Sequence, residues 1–203
     1  MHAVILAAGE GSRMGPHTDD VPKAFLDVGG RTLYDRQRAA LDGFVDAVTV
    51  VLGYRAERVL DRLDDADAVV VEDWREFENG ESLRRAIGHV DDDLVVLNGD
   101  VVVTDTVVGR LLDGHDRVGP GTSVVACIPG MQSESTALRA DDRGVVTDYG
   151  MIRGHRHAGL GVIDAAHLDR AAAVLANHRT DWYPVVYTAV PTRLVTIPEA
   201  YHV

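Results

Sequence analysis

Apolar residues fall along this chain in two alternating rhythms. Short apolar runs at Val4 to Ala7, Ala47 to Leu52, Ala68 to Val71, Leu94 to Leu97 and Ser123 to Ile128 read as strands, with Ala47 to Leu52 of the kind buried on both faces and Leu94 to Leu97 likewise buried. Between them the apolar positions recur every three or four residues, as on one face of a helix. Such stretches are Leu33 to Leu41, ended by Gly43; Arg55 to Leu63, with Val59, Leu60 and Leu63 on one side; and Glu81 to His89, with Leu83, Ala86 and Ile87 turned inward. A fourth is capped by Thr104 or Asp105 and runs through Leu112, and a fifth spans Ala165 to His178, with Leu168, Ala171, Ala172 and Leu175 on one face. Pro120 and Gly121 mark a turn, and Leu138 to Tyr149 reads as a hairpin turning at Asp141, Asp142 and Gly144. Gly159 to Ile163 and Leu194 to Ile197 read as further strands. Alternating strands and helices predict right-handed crossovers and an α/β fold: a three-layer, doubly wound, Rossmann-like mixed sheet, read as a single domain over residues 1–203.

Composition narrows the class. A chain of 203 residues buries roughly 70% of its unfolded surface, enough for a real core. The formal charge is −12 and the acid is mostly aspartate, 24 Asp against 8 Glu. That excess argues against nucleic acid or an anionic membrane as partner. Acidic surface, few aromatics and almost no lysine together predict adaptation to high salt, where self-repulsion is screened. Cys127 is the one cysteine and lies in an apolar run; it excludes an internal disulfide and suits a core position in a reducing cytoplasm. No apolar stretch has the length of a signal peptide's core or a membrane span.

The candidate chemistry is concentrated between Val4 and Asp27, VILAAGEGSRMGPHTDDVPKAFLD. The first strand breaks into a turn at Gly9 and Gly11, where bare backbone N–H groups offer a seat for a phosphate chain. Arg13 and Lys23 bring positive charge to the same polyphosphate. Of the 20 basic residues, 19 are Arg, and Lys23 is the only Lys. A compact ammonium can sit at one phosphate oxygen as a point charge, which a broad, forked guanidinium does not do.

Here the residues resemble a family. LAAGEGSRM followed by TDDVPKAFLDVGGRTL is similar to the N-terminal signature of the nucleotidyltransferases that activate phosphorylated sugars and alcohols: G-x-G-[ST]-R-[ML], then P-K, then V-G-G-x-x-L. It differs from the dinucleotide fingerprint, since Met14 stands where a third glycine belongs. The resemblance implies a fold of the nucleotide-diphospho-sugar transferase type and transfer of a nucleoside monophosphate from an NTP to a phosphorylated small-molecule acceptor, with pyrophosphate leaving. It implies that Ala7, Ala8, Gly9 and Gly11 present backbone to the nucleotide and that Arg13 and Lys23 hold its phosphates. Asp100 matches the family's Gly-Asp aspartate and would hold Mg²⁺, which takes hard oxygen ligands. The family often has a second acid two residues on, where this chain has Val102.

Further resemblances are looser. Members acting on alcohol phosphates often carry an Asn followed by Ser-Leu, as Asn79, Ser82 and Leu83 do here. Asn79 or Ser82 then contacts a base edge or ribose hydroxyl; equally, Asn79-Gly80 is a turn and Ser82 a helix cap. Asp181 is the nearest candidate for a second metal ligand, and Asp164 a lesser one that reads as a cap. His155 and His157 lack the partners of a zinc site, so Arg153 to Arg156 reads as a loop, solvated or clamping an anionic acceptor. The chain has no length for the β-helix appended to many sugar-phosphate enzymes, which with Asn79 and Ser82-Leu83 resembles small phosphocholine or inositol-phosphate cytidylyltransferases, monomeric or homodimeric. Alternatives are a molybdopterin-type guanylyltransferase, disfavoured by the eight-position spacing from Gly15 to Lys23, a non-catalytic nucleotide-binding subunit, and, more weakly, a Rossmann oxidoreductase.

Overall fold

The computed structural model describes residues 1–11, 18–132 and 136–198. Strands β1 (His2–Ala7), β2 (Ala47–Leu52), β3 (Asp67–Val70), β4 (Leu94–Asn98), β5 (Ser123–Gln132), β8 (Gly154–Ile163) and β9 (Thr192–Thr196) form one sheet in the order β3-β2-β1-β4-β8-β5-β9. β6 (Thr136–Ala140) and β7 (Val146–Met151) form the expected hairpin, with β6 paired to β8. The β3-β2-β1-β4 half is parallel, β8 runs antiparallel to both β4 and β5, and β9 pairs parallel with β5. The sheet is therefore mixed.

The two-residue period of a strand sorts its side chains to opposite faces. Ala3, Ile5 and Ala7 of β1 join one apolar cluster, with α1 (Leu33–Leu41) and α3 (Asp105–Val118). Val4, Leu6 and Ala8 join the other, with α2 (Asn79–Ile87), α4 (Leu168–Ala176) and the one-turn α5 (Val186–Ala189). Three layers result, and both faces of the sheet are covered. Thr32 caps α1 through a reciprocal capping box with Asp35, and the Thr104 hydroxyl accepts from the Val107 N–H to cap α3. Among the described residues no helix is long and apolar enough to cross a membrane.

Three elements depart from expectation. Arg55 to Leu63 forms two single turns of 3-10 helix, Ala56–Arg58 and Leu60–Arg62, rather than one α-helix. Arg55 enters left-handed at φ 51°, and Val59 at φ −131° interrupts the run; Val59 and Leu63 are buried while Leu60 is exposed. α3 continues past Leu112 to Val118. The backbone at Gly114 comes so close to β9 that a Cβ there would lie 2.5 Å from a Val195 methyl, so the glycine permits close packing without ending the helix. Of the expected Arg153 to Arg156 loop, only Arg153 lies in the bend between β7 and β8, because β8 begins at Gly154. Its partly polar outer half pairs with β6, which supplies the hydrogen bonds that its sequence does not advertise.

Candidate active site

The carboxyl ends of β1 and β4 lie side by side and open onto a cavity of about 700 Å³, the position where open α/β sheets take their ligands. From the β1 end, Ala7, Gly9 and Gly11 line it. Gly9 has no atom within 4 Å of where a Cβ would stand, so its backbone is bare to the cavity. Gly11 has φ +66°, and a Cβ there would press on the Lys23 side chain at 3.1 Å; a glycine is needed on both counts. From the β4 end come Asn98, Gly99 and Asp100. The Gly99 N–H donates to the Leu6 carbonyl at 2.9 Å, an approach that a Cβ would block at 2.7 Å.

Lys23 begins a single 3-10 turn anchored by buried Ala24 and Phe25, with Phe25 stacked on Tyr34 of α1. Its ammonium lies 2.9 Å from Asp100 Oδ2. Both side chains are partly exposed to the cavity. The Asp100 turn is held from beneath by Gln37 of α1, fully buried, whose amide donates to the carbonyl oxygens of Asn98 and Val101 at 2.9 and 2.7 Å. The Asn98 side-chain oxygen is buried and has no hydrogen-bond partner.

The opposite wall is built by the start of α2 and the segment after α4. Asn79 Oδ1 accepts from the Tyr183 N–H at 2.8 Å, Trp182 Nε1 donates to Glu78 at 3.1 Å, and the Gly80 N–H donates to the Asp181 carbonyl at 3.2 Å. Glu81 fastens the same junction. Its fully buried carboxylate is bonded by Arg84 at 2.7 Å, Arg85 at 3.0 Å and, from beyond α4, Arg179 at 3.1 Å. Arg84 foremost, with Arg179 and Arg85, holds the Glu81 carboxyl down at about 2, overcoming the upward push of burial. His157, Tyr149 and Tyr183 also line the cavity, with the His157 ring edge-on to Tyr183. Burial pushes both tyrosine hydroxyls well up, so they remain protonated.

A second cavity of about 470 Å³ shares Glu78, Tyr149 and Trp182 with the first. Asp181 lines this one, its carboxylate 2.7 Å from His178 Nδ1. Of the residues singled out from sequence, Ala7, Gly9, Gly11, Lys23, Asn79 and Asp100 meet in the main cavity. Ala8 and Ser82 are buried and are not part of that lining; the Ala8 carbonyl is taken by the Tyr54 N–H. Asp164 is a buried cap whose side chain accepts from the Ala166 N–H, and Arg13 lies outside the described residues. Gln37, Glu81, Glu78, Trp182 and Tyr149 were not singled out from the sequence, and His157 was considered there only for a zinc site. Only Trp182, an aromatic in a polar stretch, carried a local signal. Cys127 is buried and its thiol is pushed up to about 11 by desolvation, a packing residue.

Residues 3–199 match the family described as the MobA-like NTP transferase domain. Among curated relatives, the CMP-5'-(3-aminopropyl)phosphonate synthase of Streptomyces rubellomurinus is 34% identical over 156 residues, 73% of this chain and 24% of that protein. The bifunctional protein GlmU of Methanococcus aeolicus is 29% identical over 114 residues, 56% of this chain and 28% of that protein. The chain thus spans under a third of each. Among solved structures, the CTP:phosphocholine cytidylyltransferase LicC of Streptococcus pneumoniae superposes with a TM-score of 0.78 at 16% identity, covering 98% of this chain and 91% of that one. HddC of Yersinia pseudotuberculosis gives 0.73 at 16% identity, covering 96% and 89%. The mixed sheet with helices on both faces is the fold these structures share, as the opening motif implied.

Proposed function

For a chain that belongs to the MobA-like NTP transferase domain family, we propose transfer of a nucleoside monophosphate from an NTP to a phosphorylated small-molecule acceptor. The observation that carries this reading is the meeting of Lys23 with Asp100 at 2.9 Å over a floor of bare glycine backbone. In the reaction an acceptor phosphate oxygen attacks the α-phosphorus in line, forming a new P–O bond as the bond to the β-phosphate bridging oxygen breaks. Pyrophosphate takes that electron pair. No side chain needs to become covalently attached, so the protein's task is positioning and charge neutralisation.

Lys23 is assigned to a non-bridging phosphate oxygen, with Arg13 as its partner on the same polyphosphate. The N–H groups of the Gly9 to Gly11 turn seat the phosphates, and Asn79 stands at the nucleoside end. Asp100 with the unpartnered Asn98 oxygen offers the hard oxygen donors that Mg²⁺ takes. Bound there, Mg²⁺ would neutralise triphosphate charge. Asp181, paired with His178 in the adjoining cavity, is assigned to the acceptor side.

The adjoining cavity supports a reading of the acceptor class. Glu78 and Asp181 bring carboxylates and Trp182 and Tyr149 bring aromatic side chains to its lining, a composition suited to an organic cation. Phosphocholine in the name of one neighbour and aminopropylphosphonate in that of one relative both join a cationic nitrogen to a phosphorus oxyanion. We therefore assign an amine- or ammonium-bearing phosphate or phosphonate as acceptor and, from the same two names, CTP as donor, in the cytoplasm. The test is pyrophosphate release from each of the four common NTPs against a panel of phosphorylated amines, sugars and polyols, with Mg²⁺ in high KCl. Release dependent on an ammonium-bearing acceptor supports the assignment. Release only with sugar phosphates removes the acceptor class, and no release with any pair removes the reaction.

A further inference from the structure

At the other end of β4 from Asp100, three potential ligands from three separate segments converge. Asp93 immediately precedes β4, His115 lies in the last turn of α3, and Asp164 follows β8. One ligand atom from each lies within 4.8 Å of the other two. We propose that Asp93, His115 and Asp164 bind a divalent transition-metal ion of the Zn²⁺ or Co²⁺ kind, at a site separate from the nucleotide cavity and independent of the reaction proposed there.

The case rests on the histidine. Its side chain is 7% exposed, and its Nε2 is buried with no hydrogen-bond partner. An imidazole nitrogen left unpaired in the interior loses the hydrogen bond it had in water, at a cost of about 1–3 kcal/mol. Asp164 Oδ2 stands 3.8 Å away, too far for a hydrogen bond. That gap is of the order of the ligand-to-ligand separation around a small ion with metal–ligand bonds of about 2.0–2.2 Å.

Both carboxylates are already oriented by backbone. Asp164 accepts from the Gly121 N–H on Oδ2 at 2.8 Å and from the Ala166 N–H on Oδ1 at 2.9 Å. Asp93 Oδ1 accepts from the Ala165 N–H at 2.8 Å. Each carboxylate retains lone pairs beyond these bonds, and such supporting hydrogen bonds are what hold ligands in place around an ion. One imidazole with two carboxylates selects a borderline cation over Mg²⁺ or Ca²⁺, which prefer all-oxygen sets. Asp93 is only partly buried, so solvent can reach an ion here and complete its coordination. The ion would tie the start of β4, the end of α3 and the β8–α4 connection together, on the order of 15–20 Å along the strand from Asp100.

The experiment uses the whole chain, stripped with EDTA, dialysed, and titrated with Co²⁺ in excess Mg²⁺. Expected are one equivalent of Co²⁺ with visible ligand-field absorption, its displacement by Zn²⁺, and a rise in the thermal midpoint with either ion. His115→Ala and Asp93→Asn each weaken Co²⁺ binding at least about tenfold, while Asp100→Ala keeps the spectrum. Should His115→Ala fail to fold by far-UV circular dichroism, partly exposed Asp93→Asn decides the matter. No stoichiometric Co²⁺, Co²⁺ affinity unchanged in Asp93→Asn, or binding lost in Asp100→Ala overturns the site.

Discussion

The ammonium of Lys23 and the carboxylate of Asp100 stand 2.9 Å apart although 77 positions separate them in the chain. The pair joins the 3-10 turn that begins at Lys23 to the turn after β4, both lining one cavity. Exposed to solvent on both sides, it adds little to stability. Its separation into a phosphate contact and an ion ligand when a triphosphate enters is what the proposed reaction asks of it.

Replacing Lys23 or Asp100 with Ala therefore leaves the thermal midpoint nearly unchanged and cuts turnover by 10²-fold or more, the order of losing one transition-state contact. Lys23→Arg recovers only a small part, since a planar guanidinium does not substitute for a point charge at one oxygen. Pyrophosphate release at saturating nucleotide checks both. Turnover within threefold of the unaltered protein in both alanine variants would remove the mechanism.

Gln37 holds the turn that carries Asp100, so under the proposed reaction it is expected to act through that residue. Gln37→Met keeps the volume but leaves the Asn98 and Val101 carbonyls unpaired, costing about 1–3 kcal/mol of stability. The Asp100 turn loosens and kcat falls about tenfold, on the scale of 1.4 kcal/mol in the barrier, with little change in acceptor KM. Denaturant titration beside steady-state kinetics separates the two effects; an unchanged kcat refutes the positioning role.

Acid tests the Glu81 junction. Its folded-state carboxyl sits near 2 against an ordinary value of 4.5, so folding favours the ionised form. That contribution is present above about 4.5 and is lost progressively as pH falls toward 2. Glu81→Gln, which strands Arg84, Arg85 and Arg179 around a neutral amide, destabilises by on the order of 3 kcal/mol and flattens the pH dependence of stability across that window. Unfolding midpoints measured from pH 6 to 2.5 show whether it does.

Glu78 and Trp182 should govern the acceptor and not the nucleotide. Glu78→Gln and Trp182→Ala each raise KM for an ammonium-bearing acceptor roughly tenfold, about 1.4 kcal/mol, and move KM for the NTP by less than about twofold. Equal losses for cationic and neutral acceptors would show that the cavity reads shape rather than charge.

The charge excess gives a last expectation. With 32 acidic against 20 basic residues, repulsion among surface carboxylates is relieved by salt. The thermal midpoint rises steadily between dilute buffer and molar KCl. A flat or falling midpoint rejects adaptation to high salt.

What was legible in the sequence is what short-range rules dictate. Unbroken apolar runs assigned β1, β2 and β4, because a strand buried on both faces is apolar at nearly every position. The opening motif singled out Gly9, Gly11 and Lys23, and the Gly-Asp pair after a separate apolar run singled out Asp100, because glycines, a lone lysine and a strand-end carboxylate are local features; the fold brings all four to one cavity. Arg55 to Leu63 has helical spacing yet lies as two separate turns, since anchoring Val59 and Leu63 in the core outweighs a short helix of little intrinsic stability. Gln37, Glu81 and His115 look like surface residues on helices when read in order. The Val101 carbonyl that Gln37 reaches, the Arg179 that reaches Glu81, and the Asp164 that stands 3.8 Å from His115 all lie far along the chain, and only the folded layers bring them near. The cavity's outer wall has the same origin: Trp182 meets Glu78 across 104 positions because Asn79 and Gly80 receive the segment after α4, a contact that no pattern within either stretch encodes.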